Sequence, residues 1–474
     1  MIYLAAAAAV AAFVIGFQLT GIVATAGRIV ALARRATSVM RNPDMDDEAK
    51  EKAIQKSALS MMAAAVSIFF RVVATLVLTV LPIYLFHWLG LAERDDVIAF
   101  LARLDVIVGA TLIVGGGAWL WSRRPKSPES AYSTMDRLVH RLAFAAPFVQ
   151  ATAADIEDSM FAKDIADIPE RPPIFITSVP RAGTTIVLNA LHALPQVATH
   201  LYRDMPFVMS PLLWSRVSGG FQKDATEKER AHGDGIKVGF DSPEAFEEII
   251  WRHFWPAHFR GTQIDPWTAQ DQNSEATDFL KTHFRKIIAL RSPEAGRYVS
   301  KNNGNIARLP LLRAMFPEAS IIVPLRDPAE HAASLLRQHL NFLDQHARDP
   351  FIKRYMHDIG HLEFGALHRP IGFTQFHALR SGHDPRSLDY WLAYWIAAMT
   401  PLTQHDDVII VTDTALQEKP QQTMHLLCDR IGLAPGDVDF KQFFRKIDRK
   451  ASDQDFDADL IAQARKIYAE LSQS

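Results

Sequence analysis

The sequence predicts an α/β fold: a mainly parallel sheet flanked by helices, preceded by an α-helical transmembrane region. Three observations carry this. Short β-branched runs alternate with helical patterns through the last three quarters of the chain, as a parallel sheet with crossover helices requires. One of these runs, in PPIFITSVPRAGTTIVLNALHAL from Pro172 to Leu194, passes through a turn holding Pro180 and Gly183 directly into an apolar helical pattern. The first quarter is far more apolar than the rest, so the near-zero mean hydropathy of the 474-residue chain blends two unlike parts.

The N-terminal part reads as membrane. Ile2 to Gly27 carries no charge, enough for a helix across a ~30 Å hydrocarbon layer, and no basic stretch precedes it as in a signal peptide. A second span runs from about Ala58 to Phe86, with Trp88 as an interfacial anchor. Arg71 interrupts it and must face the bundle or pair with an acid. Between the two, NPDMDDEAKEKAIQKSA reads as a short charged helix. A third segment, Val106 to Trp121, is short, with Arg103 and Asp105 at its entrance, and reads as a span or a re-entrant helix. Arg28, Arg34, Arg35 and Arg41 follow the first span, and Arg123, Arg124 and Lys126 the third. The positive-inside rule then sets the N-terminus outside and the soluble part in the cytoplasm. The expected division is a membrane region of two to three spans over residues 1–125 and a cytoplasmic domain over 126–474, entered through the Pro- and Ser-rich SRRPKSPES.

In the soluble part PIFITSV, RYVSK (Arg297–Lys301), SIIVPL (Ser320–Leu325) and DVIIVTD (Asp407–Asp413) are the expected strands. Pro324 argues against a central place for its strand unless the strand ends there. A net charge of −2 leaves no global basic footprint, so nucleic acid is not an expected partner. Cys428 is the sole cysteine, which excludes an internal disulfide and a cysteine metal site, and no metal-ligand cluster is visible.

A helix start that follows a strand through such a turn is suited to an anion, because its amides point outward with partial positive charge. A Walker A loop would place a Lys directly after the last Gly. Thr184 stands there instead, and the basic residue, Arg181, comes two positions before Gly183. An ATP triphosphate with magnesium is therefore not the expected anion.

PRAGTT resembles the phosphosulfate-binding loop of PAPS-dependent sulfotransferases of the bacterial and Golgi type. A second motif of that family, an Arg leaving a strand and a Ser eight residues later, is matched in SIIVPLRDPAEHAASL by Arg326 and Ser334. VIIVTDTALQEKPQQTMHLLCDRIGL is similar to the strand and helix that end the family's core, so the resemblance spans about Pro173 to Leu433. It implies a P-loop-like sheet and PAPS as cofactor, leaving as 3′,5′-ADP without a metal. Arg181, Ala182, Gly183, Thr184, Thr185, Arg326 and Ser334 would hold that cofactor. The Gly-rich tail of the small-molecule cytosolic branch is absent: FKQFFRKIDRKASDQDF has bases but no such glycines, so tail contacts to the adenine and 3′-phosphate are not carried over.

The resemblance also implies catalytic groups. Lys301 would polarise the leaving oxygen or serve a structural role, and Asn303 stands where the cytosolic branch has its histidine base. In other branches the base is a carboxylate after the first helix; here Asp204 in THLYRDMPFVM is nearest, as base or as a structural acid that Arg203 could neutralise. His200 is the next candidate and His232 a third. Residues 204–285 read as an acceptor-side insertion or lid. Within it Ser242 and Pro243 should start a helix, its acids Glu244, Glu247 and Glu248 forming a solvated face and Trp251, Phe254, Trp255 and Phe259 a core stripe or an acceptor box. The implied activity is sulfuryl transfer to a hydroxyl or amine of a lipid, saccharide or other small acceptor. The alternative is an inactive membrane-anchored nucleotide-binding or scaffold protein.

Overall fold

The computed structural model describes residues 1–20, 47–103, 106, 134–144, 147–218, 228–229, 237–244, 246–294, 296–405, 407–445 and 451–473. The chain divides into two units, Met1–Pro128 and Glu129–Ser474.

In the first unit, helices span Ile2–Thr20, Asp47–Trp88 and Arg94–Leu101. The first packs on the second through small residues. Ala5, Ala6 and Ala9 are buried with Ile83 and Val97, and a Cβ at Gly16 would lie 3.3 Å from the Leu78 side chain. Among the described residues Arg71 pairs with no acid; its guanidinium donates to the carbonyl of Thr20, at the negative end of the first helix, and to Ser67 Oγ at 3.1 Å. Within the second helix, Ser67–Trp88 is the segment among the described residues that is long and apolar enough to cross a membrane. The expected short charged connector is the beginning of this same helix, which runs unbroken from Asp47. The third apolar segment beyond Val106, the linker 122–130 and the arginines at 28–41 lie outside the described residues.

The second unit carries a five-stranded, wholly parallel sheet in the order β2-β5-β1-β6-β7. The strands are β1 (Ile174–Ile176), β2 (Val197–Ala198), β5 (Arg297–Lys301), β6 (Ser320–Leu325) and β7 (Val408–Thr412). A two-residue antiparallel ladder, β3 (Lys228–Glu229) with β4 (Lys237–Val238), stands apart. Both faces of the sheet are covered, so its strands read as continuous apolar runs rather than alternating ones. Ile174, Ile176, Val299 and Ile322 point to one layer, with Val187, Leu191, Met424 and Leu427 from the helices Thr184–His192 and Pro420–Ile431. Phe175, Tyr298, Ile321 and Val323 point to the other, against Phe284, Ile287, Leu335 and Trp395.

The four expected strands are present and the expected fold class is the observed one. Pro324 is accommodated because β6 outlasts its neighbour. Pairing with β1 ends at Ile176↔Ile322, and Thr177 N donates to Ile322 O at 3.0 Å. The Pro324 nitrogen faces the same side one step further on, where β1 has already turned away.

The segment after Asp204 departs from expectation. The helix begins at Glu248, not at Ser242. Ser242 Oγ accepts from Gly239 N at 3.0 Å, and Pro243 bridges to Leu201. Glu244, Glu247 and Glu248 are not a solvated face: all three turn inward onto β5 and the turn after it. Glu247 accepts from Tyr298 and from Ser300 Oγ, and Glu248 from Asn302 and Arg308. Trp251, Trp255 and Phe259 are buried core, with the Arg308 guanidinium over the rings of Trp251 and Trp267 at 4.5 and 4.3 Å.

Candidate active site

The site is built where the carboxyl ends of β1, β5 and β6 meet the start of the helix Thr184–His192. Strand β1 ends at Ile176, and the chain must reverse into that helix within seven residues. It does so through two residues of left-handed backbone, Arg181 at φ +75° and Gly183 at φ +99°. Glycine is favoured at 183, since a side chain there would be strained although its Cβ would meet nothing within 4 Å. A non-glycine residue at positive φ is uncommon and marks a loop whose shape the surroundings dictate. Here those surroundings include His331, whose Nε2 donates to Pro180 O at 2.8 Å, and Arg326, whose Nη1 donates to Arg181 O at 3.1 Å. Burial, with Arg326 nearby, lowers His331 to about 3, so the ring is neutral and the donor proton sits on Nε2.

Arg181, Arg326 and Ser334 therefore come together from two motifs far apart in sequence. Arg181 Nε lies 3.5 Å from Ser334 Oγ, and Arg326 also faces Glu330 across 3.6 Å. Burial pulls the Arg326 guanidinium below its ordinary value, while Asp413 and Glu330 act to restore it. Thr184 Oγ1 donates to Asn303 Oδ1 at 3.1 Å, joining the helix start to the turn after β5. No side chain caps the helix at Gly183, which leaves its outward amides for a ligand.

These groups wall a cavity of about 530 Å³. The whole loop from Pro180 to Ile186 lines it, with Lys301, Asn303 and Arg326; Ser334 stands behind Arg181. The C-terminal segment Gln442–Arg445 closes one side, with two aromatic rings and a guanidinium and no glycine. Four cationic side chains, Arg181, Lys301, Arg326 and Arg445, face a helix start across one cavity, a donor set that fits a ligand bearing more than one phosphate. Among the described residues no group of three or more His, Cys, Asp or Glu is placed to hold a metal ion.

Asp204 and His200 lie elsewhere. Asp204 is buried in the turn after β2, where it takes Leu201 N at 2.9 Å, His200 Nδ1 at 3.2 Å and the Arg291 guanidinium. Burial alone would raise this carboxyl, but His200, Arg291 and the amide together hold it below its ordinary value. His200 continues the chain to His283, Nε2 to Nε2 at 2.9 Å. Neither Asp204 nor His200 is among the residues lining the cavity. Arg203 turns to Asp241, and His232 lies outside the described residues.

Sequence reasoning read Glu244 as solvated and did not name His361 or Glu363. Glu244 pairs with Lys301, Oε1 to Nζ at 2.8 Å. His361 and Glu363, from the loop after the helix Pro350–Asp358, line the cavity side by side, Nδ1 to Oε2 at 3.4 Å. No local pattern announces them; they follow a helix rather than a strand and carry no motif.

The sequence model of the sulfotransferase family matches residues 172–437, more than half of the chain, and the protein belongs to that family. No curated protein is a significant match. Among solved structures, the chain is similar to sulfotransferase STF1 from Mycobacterium tuberculosis H37Rv at 14% identity and a TM-score of 0.38, covering 78% of this chain and 99% of that one. Sulfotransferase STF9 from Mycobacterium avium matches at 14% and 0.37, covering 72% and 78%. A sulfotransferase from Alicyclobacillus acidocaldarius matches at 14% and 0.33, covering 64% and 95%.

Proposed function

We propose that the chain is a membrane-anchored sulfotransferase that draws its sulfuryl group from PAPS and releases 3′,5′-ADP. The observation that carries this reading is the meeting of Arg181, Arg326 and Ser334 at an uncapped helix start in a cavity with four cations. PAPS, when bound, supplies a sulfuryl group on a mixed anhydride whose 5′-phosphate gains negative charge on leaving. The loop amides from Ala182 to Thr185 and the Arg181 guanidinium would stabilise that charge, with the Thr184 and Thr185 hydroxyls as further donors. Lys301 would place an ammonium beside the leaving oxygen. Arg326 and Ser334 would hold the 3′-phosphate, and Arg445 with the rings of Phe443 and Phe444 suits the rest of an adenosine phosphate. No metal enters this account.

The membrane assignment rests on Ser67–Trp88, a helix of 22 residues and mean hydropathy 2.2, which leaves Phe69, Phe70, Val77 and Leu81 more than half exposed. An apolar face of that size is suited to lipid. In this reading residues 1–125 form the anchor with two to three spans, and residues 126–474 the catalytic part on the cytoplasmic side of a bacterial inner membrane. The acceptor is a lipid, saccharide or other small hydroxyl or amine; none of residues 204–285 is among the described residues that line the cavity, so the expected acceptor-side lid has no part in this reading. Asp204, engaged by three partners, serves as the structural acid of its turn.

The test is turnover of PAPS against adenosine 5′-phosphosulfate, which lacks the 3′-phosphate, by the full chain in detergent. The proposal expects strong preference for PAPS and loss of that preference in Arg326→Ala. Equal use of both donors, or of neither, sinks it.

A further inference from the structure

Apart from the phosphate-binding loop, part of the cavity lining has a different character. Phe342, Met356 and Phe364 present buried apolar surface, and His361 and Glu363 are set among them. Three apolar side chains stand here beside His346, His361 and Glu363, an apolar surface with a few polar groups set in it, as for a ligand held by its apolar body.

The fold holds His361 in place with unusual care. Gly360 adopts φ +85°, and a Cβ there would stand 2.6 Å from Glu248 Cγ, so the chain passes tightly over the helix Glu248–Phe254 just before the histidine. His361 N donates to Met356 O at 2.9 Å, and Arg369 N to Leu362 O at 2.8 Å. Two further histidines pin the far end of the loop: His339 Nδ1 accepts from Gly365 N and His346 Nδ1 from Ala366 N, both at 3.2 Å. Such fixing is what a group that must meet a reacting atom needs, and a surface loop does not.

We propose that His361 is the catalytic base, oriented by Glu363, and that the acceptor is a hydroxyl carried on an apolar body seated against Phe342, Met356 and Phe364. The inference rests on the PAPS reading above. Glu363 engages Nδ1 at 3.4 Å, so the acceptor proton is assigned to Nε2. In the step, the acceptor oxygen forms a bond to sulfur while the bond from sulfur to the bridging oxygen breaks. The hydroxyl proton passes to His361 Nε2, and the electron pair leaves with the bridging oxygen on 3′,5′-ADP. Charged and titratable groups approach this ring from several elements. Glu363 is on its own segment, Glu244 and Lys301 sit at the end of β5, Glu248 and Arg252 lie beneath Gly360, and His346 is on the neighbouring helix. Burial disfavours the imidazolium, but Glu363 and then Glu244 outweigh it and raise His361 above its ordinary value.

The experiment uses the full chain in lipid nanodiscs, with PAPS and four acceptor probes: 2-naphthol, dodecanol, N-acetylglucosamine and water alone. The thermal shift with 3′,5′-ADP is recorded for every variant. His361→Asn is expected to lower turnover with the apolar alcohols about 100-fold while keeping the 3′,5′-ADP shift. Glu363→Gln is expected to move the acid limb of the rate profile to lower pH, since it removes the main charge that raises His361, an effect a merely structural residue would not have. Turnover by His361→Asn within threefold of wild type overturns the assignment of the base. Preference for the saccharide, or no turnover of any probe by protein that binds 3′,5′-ADP, overturns the apolar acceptor. A wild type whose stability ignores 3′,5′-ADP overturns the donor reading instead, so the two failures are told apart.

Discussion

Glu244 and Lys301 form a buried ion pair, Oε1 to Nζ at 2.8 Å, with both side chains 5% exposed, at the carboxyl end of β5. The Tyr202 hydroxyl donates to the second oxygen of Glu244 at 3.2 Å. A buried pair adds little net stability over an apolar pair, but breaking it leaves one charge stranded at a cost of about 3–5 kcal/mol. Glu244→Gln and Lys301→Met should each lower the unfolding free energy by that order, whereas the double variant should lose less than either. Denaturant unfolding of the four proteins checks this; additive losses would show that the two side chains are not coupled.

His331 links the phosphate-binding loop to acid stability. Its folded value of about 3 lies well below the ordinary value near 6.5, so the folded state resists protonation. Above pH 6.5 the ring is neutral in both states and its contribution is fully present. As pH falls from 6.5 towards 3, the unfolded chain takes up a proton that the folded chain refuses, and stability drops by up to about 1.4 kcal/mol per pH unit. His339 and His368, each lowered by burial to about 4, act in the same direction. The midpoint of thermal unfolding should fall between pH 6.5 and 4, and His331→Gln, which keeps a donor for Pro180 O, should flatten that fall. A variant as acid-sensitive as wild type would remove His331 from the account.

Gly183 tests the loop itself. At φ +99° an alanine pays the left-handed penalty of about 1–2 kcal/mol, yet its methyl would point into open space. Gly183→Ala should therefore fold with slightly reduced stability and lose most of its affinity for 3′,5′-ADP as the loop relaxes. Full retention of binding, measured by calorimetry, would mean that the positive φ is incidental to the site.

Much of this was legible in the sequence because it is local. The four longer strands are β-branched runs, and the Pro180–Thr185 turn lies within a few residues of β1, so periodicity and turn chemistry suffice. Arg326 and Ser334 follow β6 at a spacing that can be read directly. Strand β2 was not, since two residues carry no period. Glu244 was read as solvated because its neighbours look like a helix start; its partner Lys301 lies 57 residues further on, and only the tertiary fold brings β5 under it. His361 and Glu363 are invisible for the same reason. Their role comes from facing a loop that ends well over a hundred residues earlier.

Whether the site reads a 3′-phosphate is decided by the thermal stability of the full chain in detergent with 3′,5′-ADP against plain ADP. A ligand at a hundredfold over its Kd adds about 2.7 kcal/mol to the folded state, enough to measure. The expected result is a shift with 3′,5′-ADP, little with ADP, and loss of the difference in Arg326→Ala. Equal shifts with the two nucleotides, or a preference for ADP, would contradict it.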